Sequence, residues 1–144
     1  MGRRTLVVSR RTDGRFDCRY AHWGVDVDPL AQSRPLGREW PAEAVLAELD
    51  ATYDRLLVRR GTPRTYCVCW LDPTLGDVDD IVLARTDDPE ALRSWWTTAR
   101  DSVVAFADAG APPRALRAAL LRALTRRADA VHPADDASFL RGDG

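Results

Sequence analysis

The chain has 144 residues, a length typical of one domain, and 45% of them are hydrophobic, including five tryptophans. This content excludes wholesale disorder. No apolar run approaches the length of a membrane-spanning helix or a signal-peptide core. We therefore expect a soluble, cytoplasmic protein that does not insert into a membrane.

The charged residues are unusual in type rather than in number. All 21 basic residues are arginine, and 18 of the 22 acidic residues are aspartate, for a net charge of −1. Together with the abundant alanine, this composition points to a GC-rich, salt-accumulating halophile. Proteins of such cells are usually strongly acidic, so a nearly neutral chain suggests an arginine surface kept for an anionic partner. Alternatively, arginine and aspartate pair along solvated faces.

The first predicted element is a β-hairpin of residues 5–9 and 16–23, joined by Thr12-Asp13-Gly14 with glycine at the left-handed position. If Arg11 pairs with Arg15, Val8 lies opposite Cys18 and Leu6 opposite Tyr20, on an apolar face that should join the core. The other face carries charged residues and a tryptophan. Its members are Arg3, Thr5, Val7, Ser9, Arg11, Arg15, Asp17, Arg19, Ala21 and Trp23.

Residues 24–40 contain two prolines and two glycines and predict an irregular connection. A first amphipathic helix is predicted from Pro41 to Arg60, with Gly61 after its end. A second strand pair follows at residues 65–71 and 81–85, and the first of these strands is apolar on both faces. Two helices come next, from Pro89 to about residue 109 and from Pro112 to Val131.

The predicted order is ββαββαα. This order favours an α+β fold with a mostly antiparallel four-stranded sheet and helices packed on one face. We expect a single domain over residues 1–131 and a polar C-terminal tail over residues 132–144. The charged face of the hairpin is then either solvated or an interface.

The segments Gly2–Val7, Asp13–Phe16 and Tyr20-Ala21-His22-Trp23-Gly24 resemble the opening of a family of small haloarchaeal proteins of unknown activity. The N-termini of that family carry a Tyr-Ser-His-Trp-Gly signature, and this chain has alanine in place of the serine. The resemblance covers residues 2–24. It implies a haloarchaeal origin and no particular chemistry.

The candidate binding site is the charged face of the hairpin. Basic residues outnumber acidic ones by eight to five in residues 1–40. We expect a binding or regulatory module that contacts an unknown protein partner, or a second copy of itself, through this face. The alternative is a single-stranded nucleic acid or ribonucleoprotein, bound by arginines around a stacking aromatic ring. The residues proposed for either partner are Arg3, Arg11, Arg15, Arg19 and Trp23.

Enzymatic and metal sites are weaker hypotheses. A second alternative is a metal-dependent hydrolase that combines His22 with an acidic loop, although a structural role for His22 is the simpler interpretation. The loop carboxylates are Asp72, Asp77, Asp79 and Asp80. Cys18, His22, Cys67 and Cys69 have zinc-ligand chemistry, but residues four apart on a strand lie about 13 Å apart. No glycine-rich phosphate loop occurs, and we expect neither a cofactor nor a metal.

Overall fold

The computed structural model describes residues 3–23, 33–50, 52–75 and 81–141. These residues form seven strands and three α-helices, together with 3-10 turns at Pro73–Leu75 and Ala137–Phe139. The strands are β1 (Arg3–Arg10), β2 (Phe16–Trp23), β3 (Ser33–Trp40), β4 (Arg55–Arg59), β5 (Arg64–Trp70), β6 (Ile81–Arg85) and β7 (Ala130–Pro133). The helices are α1 (Ala42–Glu48), α2 (Pro89–Asp108) and α3 (Pro113–Arg127).

The strands form one mixed sheet in the order β3-β2-β1-β4-β5-β6-β7. Strands β1 and β4 pair in parallel, and every other described pair is antiparallel. The α+β class is therefore confirmed, whereas the predicted four-stranded sheet and the ββαββαα order are wrong. The predicted order lacks three of the described strands, β3, β4 and β7.

The first hairpin has the predicted register. The Arg11 N–H donates to the Arg15 carbonyl over 2.7 Å, and Val8 lies opposite Cys18. Gly14 has a φ of 83°, a conformation that costs glycine little because it has no Cβ. The local turn chemistry and the alternation of the strands are thus sufficient to set this pairing.

Strand β3 corrects the predicted irregular connection, because residues 33–40 pair with β2 at the edge of the sheet. An edge strand tolerates Pro35, since its missing N–H is not needed by a further neighbour. The register shifts beside Cys18. A Cβ at Gly37 would lie only 2.2 Å from the Trp40 Nε1 atom, so the tryptophan ring packs directly over the glycine.

Helix α1 is much shorter than predicted, because it ends at Glu48 and the chain enters strand β4 at Arg55. Leu56 and Val58 point to the same buried side of this strand. On a helix, Leu56 and Leu57 would continue the apolar face of α1, which is why the sequence suggests one long helix. Residues 55–59 form a strand instead because they pair in parallel with β1. That partner is distant in the sequence, so local patterns do not reveal it.

Both faces of the sheet carry helices, in contrast to the single covered face expected from the sequence. Alternate residues of β5 show this, since Tyr66 and Val68 pack in the core beneath α1, whereas Cys67 and Cys69 pack beneath α2 and α3. The α1 core includes Leu6, Val8, Phe16, Val45, Leu56 and Leu83. The α2–α3 core includes Val82, Ala84, Leu92, Trp96, Leu120 and Leu124.

The residues predicted to form a polar tail begin inside the sheet, because β7 continues to Pro133. The following 3-10 turn places Ala137 and Leu140 in the core beneath α1. Arg60 fixes this C-terminal segment against the sheet, because its Nη1 atom donates to the Leu140 carbonyl over 3.2 Å. Among the described residues, we find no helix with the length and apolar character needed to span a membrane.

Candidate binding site on the N-terminal hairpin

The outer face of the β1–β2 hairpin is the face opposite Leu6 and Val8. At its centre Val7 and Ala21 are 1% and 0% exposed, so the chain itself covers them. They are therefore closed to the partner contact that the sequence suggests. The backbones of Arg3 and Trp23 pair at the far end of the hairpin, and their side chains lie outside the described part of the structure. The described open surface of this face lies near the turn.

Arg11 is the centre of an ion-pair network at the turn. Its Nη1 atom donates to Asp17 Oδ1 over 3.2 Å, its Nη2 atom lies 3.4 Å from Glu39 Oε1, and its Nε atom lies 3.5 Å from Asp13 Oδ2. The hydrogen bond with Asp17 raises the pKa of Arg11, and a hydrogen bond from the Arg15 N–H lowers the pKa of Asp13. Arg11 thus ties the turn to β3 and is a structural residue rather than a free binding group.

Glu39 is held in a left-handed backbone conformation, with a φ of 59°, that is uncommon for a residue with a Cβ. Its N–H donates to Asp17 Oδ1 over 3.2 Å, and its carbonyl accepts from Arg15 Nη1 over 3.4 Å. Together with the ion pair to Arg11, these contacts connect β3 to both strands of the hairpin. The network offsets the cost of the backbone conformation and fixes the end of β3.

A groove of about 400 Å³ opens beside this network, between the hairpin and β3. Arg19 and Arg38 are exposed at its wall. Its carboxylate, Asp17, is already engaged by Arg11 and by the Glu39 N–H. Two guanidinium groups beside one committed carboxylate favour an anionic ligand. The groove is lined by Ser9, Asp17, Cys18, Arg19, Pro35, Gly37 and Arg38.

The structure describes the side chains of three of the predicted site residues, Arg11, Arg15 and Arg19. Arg11 and Arg15 converge on Glu39, whereas Arg19 lies at the groove. The sequence does not point to Arg38 and Glu39, because it predicts an irregular connection where β3 lies. The one sequence signal for that strand is the pair of apolar residues Leu36 and Trp40, both of which pack against the core.

Of the residues proposed for a hydrolytic site, the structure describes the side chain of Asp72. Asp72 caps the 3-10 turn that follows it, because its carboxylate accepts the Thr74 N–H over 2.9 Å, and hydrogen bonds from Thr74 lower its pKa. The loop residues Asp77, Asp79 and Asp80 lie outside the described residues, and so does the side chain of His22.

The cysteines are divided between the two faces of the sheet. Cys18 lies in the core beneath α1, where burial raises the pKa of its thiol to about 12. Cys67 and Cys69 lie beneath α2 and α3 and hydrogen-bond to each other, which lowers the pKa of Cys67 and raises that of Cys69. The sheet separates Cys18 from the other two thiols, so this structure does not assemble the three-cysteine set.

A model of a family of unknown function (DUF6735) matches residues 1–56. The matched stretch contains β1, β2, β3 and α1 and reaches the start of β4, so it includes the groove and the network around Arg11. The matched residues include residues 2–24, on which the sequence resemblance rests. No curated protein and no solved structure shows a significant match to the chain.

Proposed function

We propose that the chain is a protein-binding or regulatory module that engages an acidic segment of its partner at the groove between the N-terminal hairpin and β3. The observation that carries the proposal is the pair of exposed arginines, Arg19 and Arg38, at the wall of that groove. Among the described residues that line the groove, the one carboxylate belongs to Asp17, which is committed to Arg11 and Glu39. This arrangement presents positive charge on a framework that is already fixed before a ligand arrives.

The expected strength of this contact follows from its exposure. An exposed arginine–carboxylate pair contributes about 0.2–1 kcal/mol, so two arginines alone give a weak complex. A specific partner must also cover apolar surface, for which the Pro35 ring at the groove is available. We therefore expect the arginines to select an acidic partner and the surrounding surface to supply much of the affinity.

A protein partner suits the described groove better than a single-stranded nucleic acid does. Single strands are held mainly by aromatic rings on which the bases stack. The residues that line the groove include no aromatic side chain among those that the structure describes. Carboxylates of a protein segment need only the guanidinium groups and a polar rim.

Two further proposals concern the setting of the protein. We propose a cytoplasmic role in a halophilic archaeon, supported by the absence of lysine, the excess of aspartate over glutamate and the resemblance at residues 2–24. At molar salt the Debye length is about 3 Å, so only direct arginine–carboxylate contacts contribute to the attraction. Thermal unfolding in KCl tests the setting: Tm should rise between 0.1 and 2 M, and a fall would contradict a halophilic origin.

The test of the proposed function is a titration with an oligo-glutamate peptide, compared with an oligo-glutamine peptide of equal length. We expect the wild-type protein to bind only the acidic peptide. The double variant R19Q/R38Q should lose that binding. The matched variant R59Q/R64Q, with the same charge change at the β4–β5 turn, should keep it.

Light scattering with absorbance at 260 and 280 nm on the purified protein separates the alternatives. A monomer that binds the acidic peptide through Arg19 and Arg38 supports the proposal. A dimer that R19Q/R38Q dissociates would make the partner a second copy. Nuclease-sensitive absorbance at 260 nm that R19Q/R38Q removes would replace the protein partner with a nucleic acid.

A further inference from the structure

Helix α3 is the most strongly basic described element that the proposed function does not use. Residues 113–127 contain five arginines and no acidic residue. Leu120 and Leu124 are buried against the sheet, whereas Arg114, Arg122 and Arg126 are exposed. The exposed side also carries small residues, namely Ala115, Ala118 and Ala119. One side of α3 is therefore core. On the other side, which we call the α3 basic face, arginines alternate with small side chains.

The arginines of the α3 basic face differ in their pairing from those elsewhere in the fold. Arg55 pairs with Glu90, and Arg93 with Asp54 over 3.0 Å. Within the described ranges, Arg114, Arg122 and Arg126 have no ion-pair partner. No carboxylate of the described residues therefore holds these three guanidinium groups in place.

The three exposed arginines are spread along most of the length of α3. At 1.5 Å per residue, Arg114 and Arg122 lie about 12 Å apart along the axis, and Arg122 and Arg126 about 6 Å apart. The major groove of B-form DNA is about 12 Å wide and admits one helix. Because Ala115, Ala118 and Ala119 project little beyond the backbone, the helix can approach the duplex closely while the arginines extend to either side.

We propose that the α3 basic face binds double-stranded DNA through its phosphates, at a site separate from the groove on the hairpin. Asparagine and glutamine, which pair with adenine edges, are absent from residues 113–127, and the Thr125 hydroxyl already donates to the Leu121 carbonyl. The helix therefore has no amide side chain to read adenine edges, and the phosphate contacts that we propose carry no sequence information.

The same features disfavour the other polyanions. The major groove of A-form RNA is too narrow to admit side chains. Single strands require stacking rings, and no aromatic residue occurs in 113–127. A membrane-surface helix needs large apolar residues beside its basic ones, whereas alanine occupies those exposed positions on α3.

The test measures binding of a labelled 20-base-pair DNA duplex of arbitrary sequence between 0.05 and 0.3 M KCl. Three phosphate contacts predict a slope of log K against log salt of about −2.7. The variant R122Q/R126Q should reduce the slope by about two and weaken binding at least tenfold at 0.05 M. Glutamine is a good helix former, so these exposed substitutions should leave thermal unfolding unchanged.

Two controls define the site. R122K/R126K keeps the positive charges and should restore most of the binding, since lysine also contacts phosphate. R59Q/R64Q and R19Q/R38Q remove the same charge elsewhere and should bind DNA like the wild-type protein. This last result keeps the DNA site independent of the proposed protein-binding groove.

Three results would overturn the inference. The first is a wild-type protein that does not bind the duplex at 0.05 M KCl. The second is an equal loss of affinity in R59Q/R64Q, which would reduce the effect to net charge. The third is tighter binding to vesicles with one third phosphatidylserine than to DNA, which would make the ligand an anionic membrane.

Discussion

The hairpin end and helix α3 are both rich in arginine, yet the two regions use that residue differently. Arg11 is half-buried and has three acidic neighbours, on its own strand pair and on β3. Arg122 and Arg126 are exposed on a helix that contains no acidic residue. Arginine thus connects structural elements through ion pairs in one region and presents an exposed positive charge in the other.

This difference shows why the number of arginines is a poor guide to function. The predicted hairpin site contains Arg11 and Arg15, but both converge on Glu39 and hold β3 in place. The Arg11 guanidinium in particular is committed to three carboxylates of its own domain and has little capacity left for a partner. The position of the acidic residues is therefore what separates a structural arginine such as Arg11 from the exposed arginines for which we propose a ligand.

The largest expected effect compares a packed small residue with an exposed one. Gly37→Ala places a Cβ 2.2 Å from the Trp40 indole nitrogen, so the ring must leave its packing against the core. We expect a loss of about 1–3 kcal/mol of unfolding free energy, a fall in Tm of roughly 3–10 °C. Ala118→Val on the α3 basic face should cost less than about 0.7 kcal/mol, the limit set by helix propensity. Equal losses would contradict the close packing at Gly37.

An intermediate effect compares the arginines themselves. Arg11→Gln should lower Tm because it leaves Asp17 and Glu39 without their shared cation, whereas Arg126→Gln should leave Tm unchanged. The Tm difference should shrink in 1 M KCl, since salt screens partly exposed ion pairs. The measurement is thermal unfolding by circular dichroism.

A double-mutant cycle locates the cause of that effect. If the network is real, Arg11→Gln and Glu39→Gln together should destabilise the protein less than the sum of their separate effects. Strict additivity would mean that the two side chains do not interact in solution.

The sequence predicts those parts of the fold that depend on neighbouring residues. The turn at Asp13-Gly14 and the alternation around it specify the β1–β2 register. The outward positions of Arg114, Arg122 and Arg126 follow from helical spacing. In β5 the apolar residues on both sides indicate a strand buried on both faces, as the two cores confirm.

Features that depend on distant partners could not be predicted in this way. Strand β4 continues the apolar spacing of α1, and only pairing with β1 makes it a strand. Pro35 and Gly37 argue against a central strand, but they are compatible with the edge position that β3 occupies. The contacts of Glu39 with Arg11 and Asp17 depend on that strand. The sequence therefore predicts the hairpin side of the candidate groove, through Ser9, Asp17 and Arg19, but not the side that β3 contributes.

The smallest expected effect uses acid to separate the two regions. His132 on β7 stacks on Phe139 with ring centroids 4.4 Å apart, and burial lowers the pKa of its imidazole below the usual 6.5. The contribution of the neutral His132 to the unfolding free energy is complete above pH 6.5. It is lost as the pH falls from 6.5 to the lowered pKa, because the unfolded chain binds the proton at a higher pH than the folded chain does. Tm of the wild-type protein should therefore decline between pH 7 and 5, and the decline should be shallower in His132→Gln.

The hairpin end should respond at lower pH. The backbone hydrogen bond from Arg15 lowers the pKa of Asp13 below 3.8, so its contribution is complete above pH 4 and is lost only as pH falls further. Asp13→Asn should then leave the decline between pH 7 and 5 intact and change the unfolding curve below pH 4. An unchanged decline between pH 7 and 5 in His132→Gln would show that His132 is not the source of the upper transition and would contradict this order of response.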